Sequence, residues 1–240
     1  MKKLRLLAIL LLSVVIMASC SDASSSGDND TDGTKKPSAT QETTPASDET
    51  SGGGTIGNLT VDALRNYPTS PESDFEWEDS GDGVRLKNYI GDDAVVVVPN
   101  TLGGKPVNEV SGWFLDFVEG VVGFMLPDTV KALPQYAFFR CADLQIIIAD
   151  GVEELGAESV TQCDALKTLI LSENLSVIKQ HALLACSALE SLYVPPSVTE
   201  IVEPYKGSAF DMCNNLTIYG EAGSYIEQYC KDAGIPFKVK

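Results

Sequence analysis

The chain has 240 residues, with 17 basic and 34 acidic side chains and a formal net charge of −17. That acidity argues against a nucleic-acid surface and against docking on anionic lipid, since both select basic patches. A chain of this length carries one ordinary domain besides any terminal extension.

At the N-terminus, Lys2, Lys3 and Arg5 precede a run from Leu6 to Met17 in which only Ser13 is polar. Twelve residues are too few to span a hydrocarbon core, which takes about 20. The basic start, short apolar core and small-residue exit at Ala18-Ser19 read as a signal peptide over residues 1–19. The cysteine directly after them, Cys20, gives the segment a close resemblance to the bacterial lipoprotein signal, with Met17 where leucine is usual. That resemblance implies lipidation of Cys20, cleavage before it and acylation of the new amino terminus. Two or three acyl chains give stable attachment, because each buried methylene adds about 0.8 kcal/mol. Loss of Lys2, Lys3 and Arg5 leaves 14 basic against 34 acidic residues, net −20.

Residues 20–70 are rich in Ser, Thr, Asp, Gly and Pro and nearly free of large apolar side chains. Such a segment cannot bury enough surface to offset its ordering entropy. The expectation is a disordered tether with a mean reach of about 40 Å. Within it, Asp28-Asn29-Asp30-Thr31-Asp32-Gly33 matches the front half of a calcium loop, but position 12 is Ala39 where a bidentate Glu is needed. A solvated acidic linker is the simpler reading.

Phe75-Glu76-Trp77 and Val84-Arg85-Leu86 flank Asp79-Ser80-Gly81-Asp82-Gly83, the pattern of a hairpin that covers a first coil. Thr101-Leu102-Gly103-Gly104-Lys105-Pro106 predicts a second hairpin turn, because Gly-Gly allows positive φ. From residue 118 onward one unit recurs. Its slot is held in turn by Val118, Cys141, Cys163, Cys186 and Cys213 at nearly constant spacing, and only the last interval is lengthened, by an insertion at Glu203 to Gly207. Each slot is followed by apolar residues at fixed offsets, as in Leu144, Ile147, Ala149, Val152 and Leu155, and each unit ends on a small–large pair such as Ala137-Phe138. A period of roughly 22 residues falls in the range of leucine-rich repeats. The expected coil has a short strand, a turn at Pro-x-x-Val, and a half-helix or 3₁₀ return that inserts the small–large pair and the cysteine. The fold expectation is a leucine-rich-repeat solenoid of about five coils, each of roughly 22–28 residues, with short parallel strands. Its caps are the N-terminal β-hairpin and a C-terminal helix over Tyr225 to Ala233. That helix starts at the capping box Ser224-x-x-Glu227 and stops at Gly234. Ile226, Tyr229, Cys230 and Ala233 share the face that should cover the last coil. The repeat domain with its caps is placed at residues 71–240.

The unit Leu-Pro-x-x-Val-x-x-(Leu/Ile)-x-x-x-Ala-Phe-x-x-Cys, best seen from Leu126 to Cys141, strongly resembles the BspA-like leucine-rich repeat family of bacterial surface proteins. The segment Val95 to Val110 and the exit Leu216-Thr217-Ile218-Tyr219-Gly220 share the likeness, which runs over residues 74–240. Residues 141–163 depart from it, with Ala149-Asp150 for Leu-Pro and Ser159-Val160 for Ala-Phe. The resemblance implies surface exposure, adhesion and protein binding; the residues themselves offer no catalytic motif, so no enzyme activity and no cofactor are expected.

Cys141, Cys163, Cys186 and Cys213 should stack about one strand spacing, ~4.8 Å, apart. Buried free thiols are the leading reading because Val118 fills the same slot. A disulfide between neighbours is the alternative. A metal site finds no CxxC spacing in support. His181, the single histidine, sits before the Ala182-Leu183 core pair and reads as a polar residue on the return side. No Gly-x-Ser-x-Gly, P-loop or dinucleotide glycine motif is present.

One column stands out. Seven positions after each cysteine slot the strand side chain points away from the core, and that column reads Met125, Ile148, Ile170, Tyr193. The expectation is a solvent-facing apolar stripe on which a protein partner docks, although large residues also simply suit strands. The functional expectation is an extracytoplasmic lipoprotein, anchored to a bacterial membrane and exposed at the surface, that binds an extracellular or envelope protein and no nucleic acid. A structural envelope protein packing against components of the same cell is the alternative. A hydrolase or sugar-binding subunit is the third reading.

Overall fold

The computed structural model describes residues 59–203 and 208–240. Cys20, the signal segment and the Asp28–Gly33 stretch lie outside the described residues. No described helix is long and apolar enough to cross a membrane.

The complete coils each contribute three short strands, so the solenoid has three parallel faces. The first face stacks Val95–Val97, Gly123–Met125, Ile146–Ala149 and Thr168–Leu171 in register. It continues as a second ladder of Ser191–Tyr193, Thr217–Gly220 and Phe237–Val239. The second face stacks Ala132–Leu133, Glu154–Leu155, Val177–Lys179 and Glu200–Val202. The third stacks Leu115–Asp116, Phe138–Phe139, Val160–Thr161 and Leu183–Leu184.

Alternation along these strands puts Leu144, Ile147, Ala149 and their counterparts wholly inside. Three fully buried phenylalanines pack together in the core. Phe124 meets Phe114 and Phe138 edge-on, at centroid distances of 5.7 and 5.5 Å, the arrangement that aligns ring edges with ring faces.

Three expectations are corrected. The coil count rises from about five to about seven, the number of strands on the first face. The additional turns lie at the ends, where Val95–Val97, Thr217–Gly220 and Phe237–Val239 form strands without the complete repeat signature. The return side, expected as a half-helix or 3₁₀ turn, is a two-residue strand instead. Left-handed residues close both of its ends: Tyr136 at φ 58° and Arg140 at φ 54° bracket Ala137-Phe138-Phe139. A helix needs consecutive right-handed residues, and these corners interrupt them. Third, the described residues 59–70, expected as part of the tether, are ordered. Helix α1 (Val61–Arg65) and Ser70 are packed on the repeat domain.

The caps follow the sequence. Phe75–Asp79 pairs antiparallel with Val84–Tyr89, which pairs in parallel with Lys105–Val110. Thr101–Leu102 folds back on Lys105 across Gly103 and Gly104, both at positive φ. Helix α2 (Tyr225–Ala233) starts where the Ser224 hydroxyl accepts from Glu227 N and ends at Gly234, φ 71°. The Glu227 carboxylate accepts from Gly223 N rather than from the cap residue itself. Ile226 and Cys230 are buried and Tyr229 half-buried, whereas Ala233 is exposed, so the covering face is one residue narrower than the periodicity implies.

Candidate interaction surfaces

On the first face, Val97, Met125, Ile148 and Ile170 fall in one register column, and Val95, Gly123, Ile146 and Thr168 in the next. The expectation that the apolar column stands in solvent is corrected here. Ile148 is 0% exposed, because α1 lies across it. Leu64 is fully buried with Val95, Ile146 and Ile148, and Leu59, Val61, Val97, Val122, Met125 and Ile170 pack around them. Burying a leucine this completely stabilises by about 1.5–3 kcal/mol. The Thr60 hydroxyl caps α1 by accepting from Ala63 N at 3.1 Å. A five-residue helix is about 7.5 Å long, so it covers roughly two strands.

The irregularities of the repeat are the seat of this helix. Asp150, which stands where the pattern has proline, accepts from Arg65 Nη1 at 2.5 Å and from Nη2 at 3.1 Å. At Gly123 an added Cβ would lie 2.3 Å from Leu59 Cδ2, so any larger residue there would push the Leu59 side chain aside. Past α1, Ser70 N donates to Val97 O at 2.9 Å and the Ser70 hydroxyl accepts from Val97 N at 3.2 Å. This closes an edge strand that would otherwise offer unpaired backbone groups. Tyr193, the last member of the column, is half-buried and has the Lys240 ammonium 3.6 Å from its ring centroid.

The third face is built differently. In each two-residue strand the first side chain points inward (Leu115, Phe138, Val160, Leu183) and the second takes the outward position (Asp116, Phe139, Thr161, Leu184), where only Thr161 is buried. Corner residues at φ 53–61° flank them on both sides: Trp113, Tyr136, Glu158 and His181 before, and Phe117, Arg140, Gln162, Ala185 and Met212 after. A left-handed non-glycine residue costs roughly 1–2 kcal/mol. The regular ladder offsets that cost with one backbone bond at every corner but Met212, for example Trp113 N to Tyr136 O at 2.9 Å and Arg140 N to Thr161 O at 2.9 Å. The corner geometry turns large side chains out into solvent.

At the N-terminal end of this face those side chains form one aromatic patch. Trp113 lies 4.3 Å from Tyr136 and 4.9 Å from Phe139, between ring centroids. Phe117 meets Phe139 edge-on at 5.9 Å. The Arg140 guanidinium sits 4.8 Å from both the Phe117 and Phe139 centroids, and its Nε donates to Gln162 Oε1 at 2.7 Å. Trp113 is 49% and Phe117 57% exposed. The Tyr136 hydroxyl donates to Glu158 at 2.8 Å, which holds the phenol above its ordinary pKa. Burial pushes the Asp116 carboxyl up, with Arg140 acting in the opposite direction. Beside the patch runs a shallow groove lined by Phe117, Arg140, Ala142, Gln162, Asp164 and Ala185. The sequence reading missed this patch because it followed the strand column alone. The available signal was the residues around each small–large pair, Trp113, Tyr136 and Phe139.

Cys141, Cys163, Cys186 and Cys213 are free and buried. Each thiol points at a carbonyl of the preceding coil, as in Cys141 Sγ to Leu115 O at 3.5 Å and Cys186 Sγ to Val160 O at 3.7 Å. The neighbouring Cys141 thiol and then burial push the Cys163 thiol well up; Cys213 and burial do the same for Cys186. Thiols raised in this way are poor nucleophiles near neutral pH. His181 is half-buried rather than a surface residue, and its Nε2 has no hydrogen-bond partner among the described residues. Among the described residues no group of three or more His, Cys, Asp or Glu is placed to hold a metal ion.

Stacked coils of one repeat each, with inward leucines and three parallel faces, define a leucine-rich-repeat solenoid. The family described as "BspA type Leucine rich repeat region" matches residues 119–230 in six copies, which makes that stretch similar to the BspA-like leucine-rich repeats. A leucine-rich repeat protein from Bacteroides ovatus ATCC 8483 is 18% identical at a TM-score of 0.48, over 64% of this chain and 47% of that one. The T. pallidum leucine rich repeat protein is 20% identical at 0.42, over 63% and 71%. A leucine-rich repeat protein from Bacteroides capillosus ATCC 29799 is 20% identical at 0.40, over 62% and 95%. This chain thus spans about half the length of the Bacteroides ovatus protein. No curated protein matches the sequence.

Proposed function

We propose that this chain is a surface lipoprotein, anchored through Cys20, whose repeat domain binds an extracellular or envelope protein in an adhesive or partner-recognition role. The observation that carries this reading is the exposed aromatic patch on the third face. Tryptophan, tyrosine and arginine dominate the energetics of protein contacts because they bury much area for few rotatable bonds. Trp113, Tyr136 and Arg140 stand together there with Phe117 and Phe139. A rigid solenoid holds them in fixed register, so little ordering entropy is lost on docking. The scaffold itself is of a binding type, and its thiols and lone histidine form no catalytic constellation among the described residues.

Two experiments test the two halves of the reading. Detergent partition of Cys20→Ala against the wild type tests the anchor, and a variant that still enters the membrane phase fully would remove it. Capture from host extracellular proteins and from the organism's own envelope, with the full chain as bait, tests the face. Trp113→Ala with Phe139→Ala should lose the captured species while Glu200→Gln, on the second face, keeps them. Equal capture by all three proteins removes the third face as the contact. Capture confined to envelope components of the same cell supports the accessory role over adhesion.

A further inference from the structure

We infer that the third face docks a basic segment of its protein partner, with a lysine or arginine side chain lying in the groove between Phe117 and Asp164. This rests on the reading that the aromatic patch is the contact surface, and it assigns the chemistry of what lands there.

Charge complementarity around an apolar anchor points to such a segment. The outward rows and borders of the face carry Asp116, Glu158, Asp164 and Asp211, on a chain whose formal net charge is −17. Among the described residues, the cationic side chain that lines the groove is Arg140. Arg140 keeps its charge while it lies over two rings and donates to Gln162, but the four carboxylates outnumber it, so the face stays acidic. In the groove, Phe117, Ala142 and Ala185 offer apolar walls on which the methylenes of a long side chain can lie. Asp164 offers the carboxylate at its end. One Asp164 oxygen accepts from Ser187 Oγ at 3.2 Å, and the other accepts from no described residue. Trp113, exposed beside the groove, offers a ring whose negative quadrupole charge adds attraction for a cation in the segment. Asp116 favours the same occupant, since its carboxyl is already partly desolvated beside Phe139 and an approaching cation would stabilise its charged form. A second copy of this chain is a poor occupant, because two such faces would bring like charges together.

The test uses the full chain and three probes. They are a twelve-residue peptide of alternating lysine and leucine, its glutamate–leucine counterpart, and the neutral hexasaccharide cellohexaose. Binding is followed by titration calorimetry at low and at physiological salt. The lysine–leucine peptide should bind, and the glutamate–leucine peptide and cellohexaose should not. Phe117→Ala and Asp164→Asn should each weaken that binding by about tenfold, while Glu200→Gln leaves it unchanged. Both groove residues are exposed, and unchanged thermal midpoints exclude unfolding as the cause. If Glu200→Gln weakens binding as much as Asp164→Asn, attraction to a generally acidic protein explains the result and the inference falls. Binding of cellohexaose in place of the basic peptide overturns it in favour of a sugar ligand. If third-face variants lose their captured partner yet bind the lysine–leucine peptide like the wild type, the contact surface stands and the cation assignment falls.

Discussion

The first and third faces are made from the same repeat, and both set large apolar side chains on the outside of the solenoid. On the first face Ile148 is 0% exposed; on the third Phe117 is 57% exposed. The difference is an occupant. Leu59, Val61 and Leu64 cover the first face, and Arg65 fastens them to Asp150. The described residues put no such segment over Trp113, Phe117 and Phe139. Outward direction therefore says nothing by itself about availability to a partner. An apolar stripe is a binding surface only after the chain's own segments have been placed.

The repeat register common to both faces carries the largest expected effect. Phe138→Ala removes a fully buried ring between coils and should destabilise by about 3–5 kcal/mol. A urea midpoint equal to that of the wild type would break the register on which both faces depend. Next comes the covered face. Ile148→Glu places a charge beneath α1 and should release it, at a cost of about 1.5–3 kcal/mol in lost leucine burial. Hydrogen exchange should show lost protection at the Leu64 and Asn66 amides while the Leu144 and Val152 amides stay protected. Retained protection at Leu64 would show that α1 is not held by this stripe.

Arg65→Ala tests the fastening separately. Its ion pair with Asp150 is substantially exposed, with side chains 39% and 34% accessible, so about 1 kcal/mol or less is expected, and less still at high salt. A larger, salt-insensitive loss in the urea midpoint would mean that α1 packing itself depends on the guanidinium. The open face should be the least sensitive of all. Trp113→Ala and Phe117→Ala should change stability by about 0.5 kcal/mol or less while abolishing capture, which is the reverse of the Ile148→Glu result. His181→Ala should also stay within about 0.5 kcal/mol, because the ring nitrogen it removes has no hydrogen-bond partner among the described residues. A marked loss there would point to a role for the Asp211 carboxylate 3.7 Å away.

Much of the fold was legible in the residues. The cysteine-slot interval marked out the coil, the offsets of Leu144, Ile147 and Ala149 marked the inward set, and Ser224 with Gly234 marked the limits of the last helix. Each rests on spacings within one or two coils. The two-residue return strand was not legible, because a left-handed Tyr136 or Arg140 leaves no mark in composition. Those residues hold that conformation because ladder bonds to the next coil compensate it.

The candidate surface divides along the same line. The sequence by itself determined that Met125, Ile148, Ile170 and Tyr193 share an outward column, since side chains alternate along a strand whatever surrounds it. It also displayed Gly123 and Asp150 as departures from the repeat, without saying what they were for. Only the tertiary structure decided that they receive Leu59 and Arg65, because the partners lie far apart in the chain, 85 residues in the case of Arg65 and Asp150. Local periodicity fixes which way a side chain points. Burial is decided by whatever else the chain brings to that place, and among the described residues it covers one apolar face and leaves another exposed.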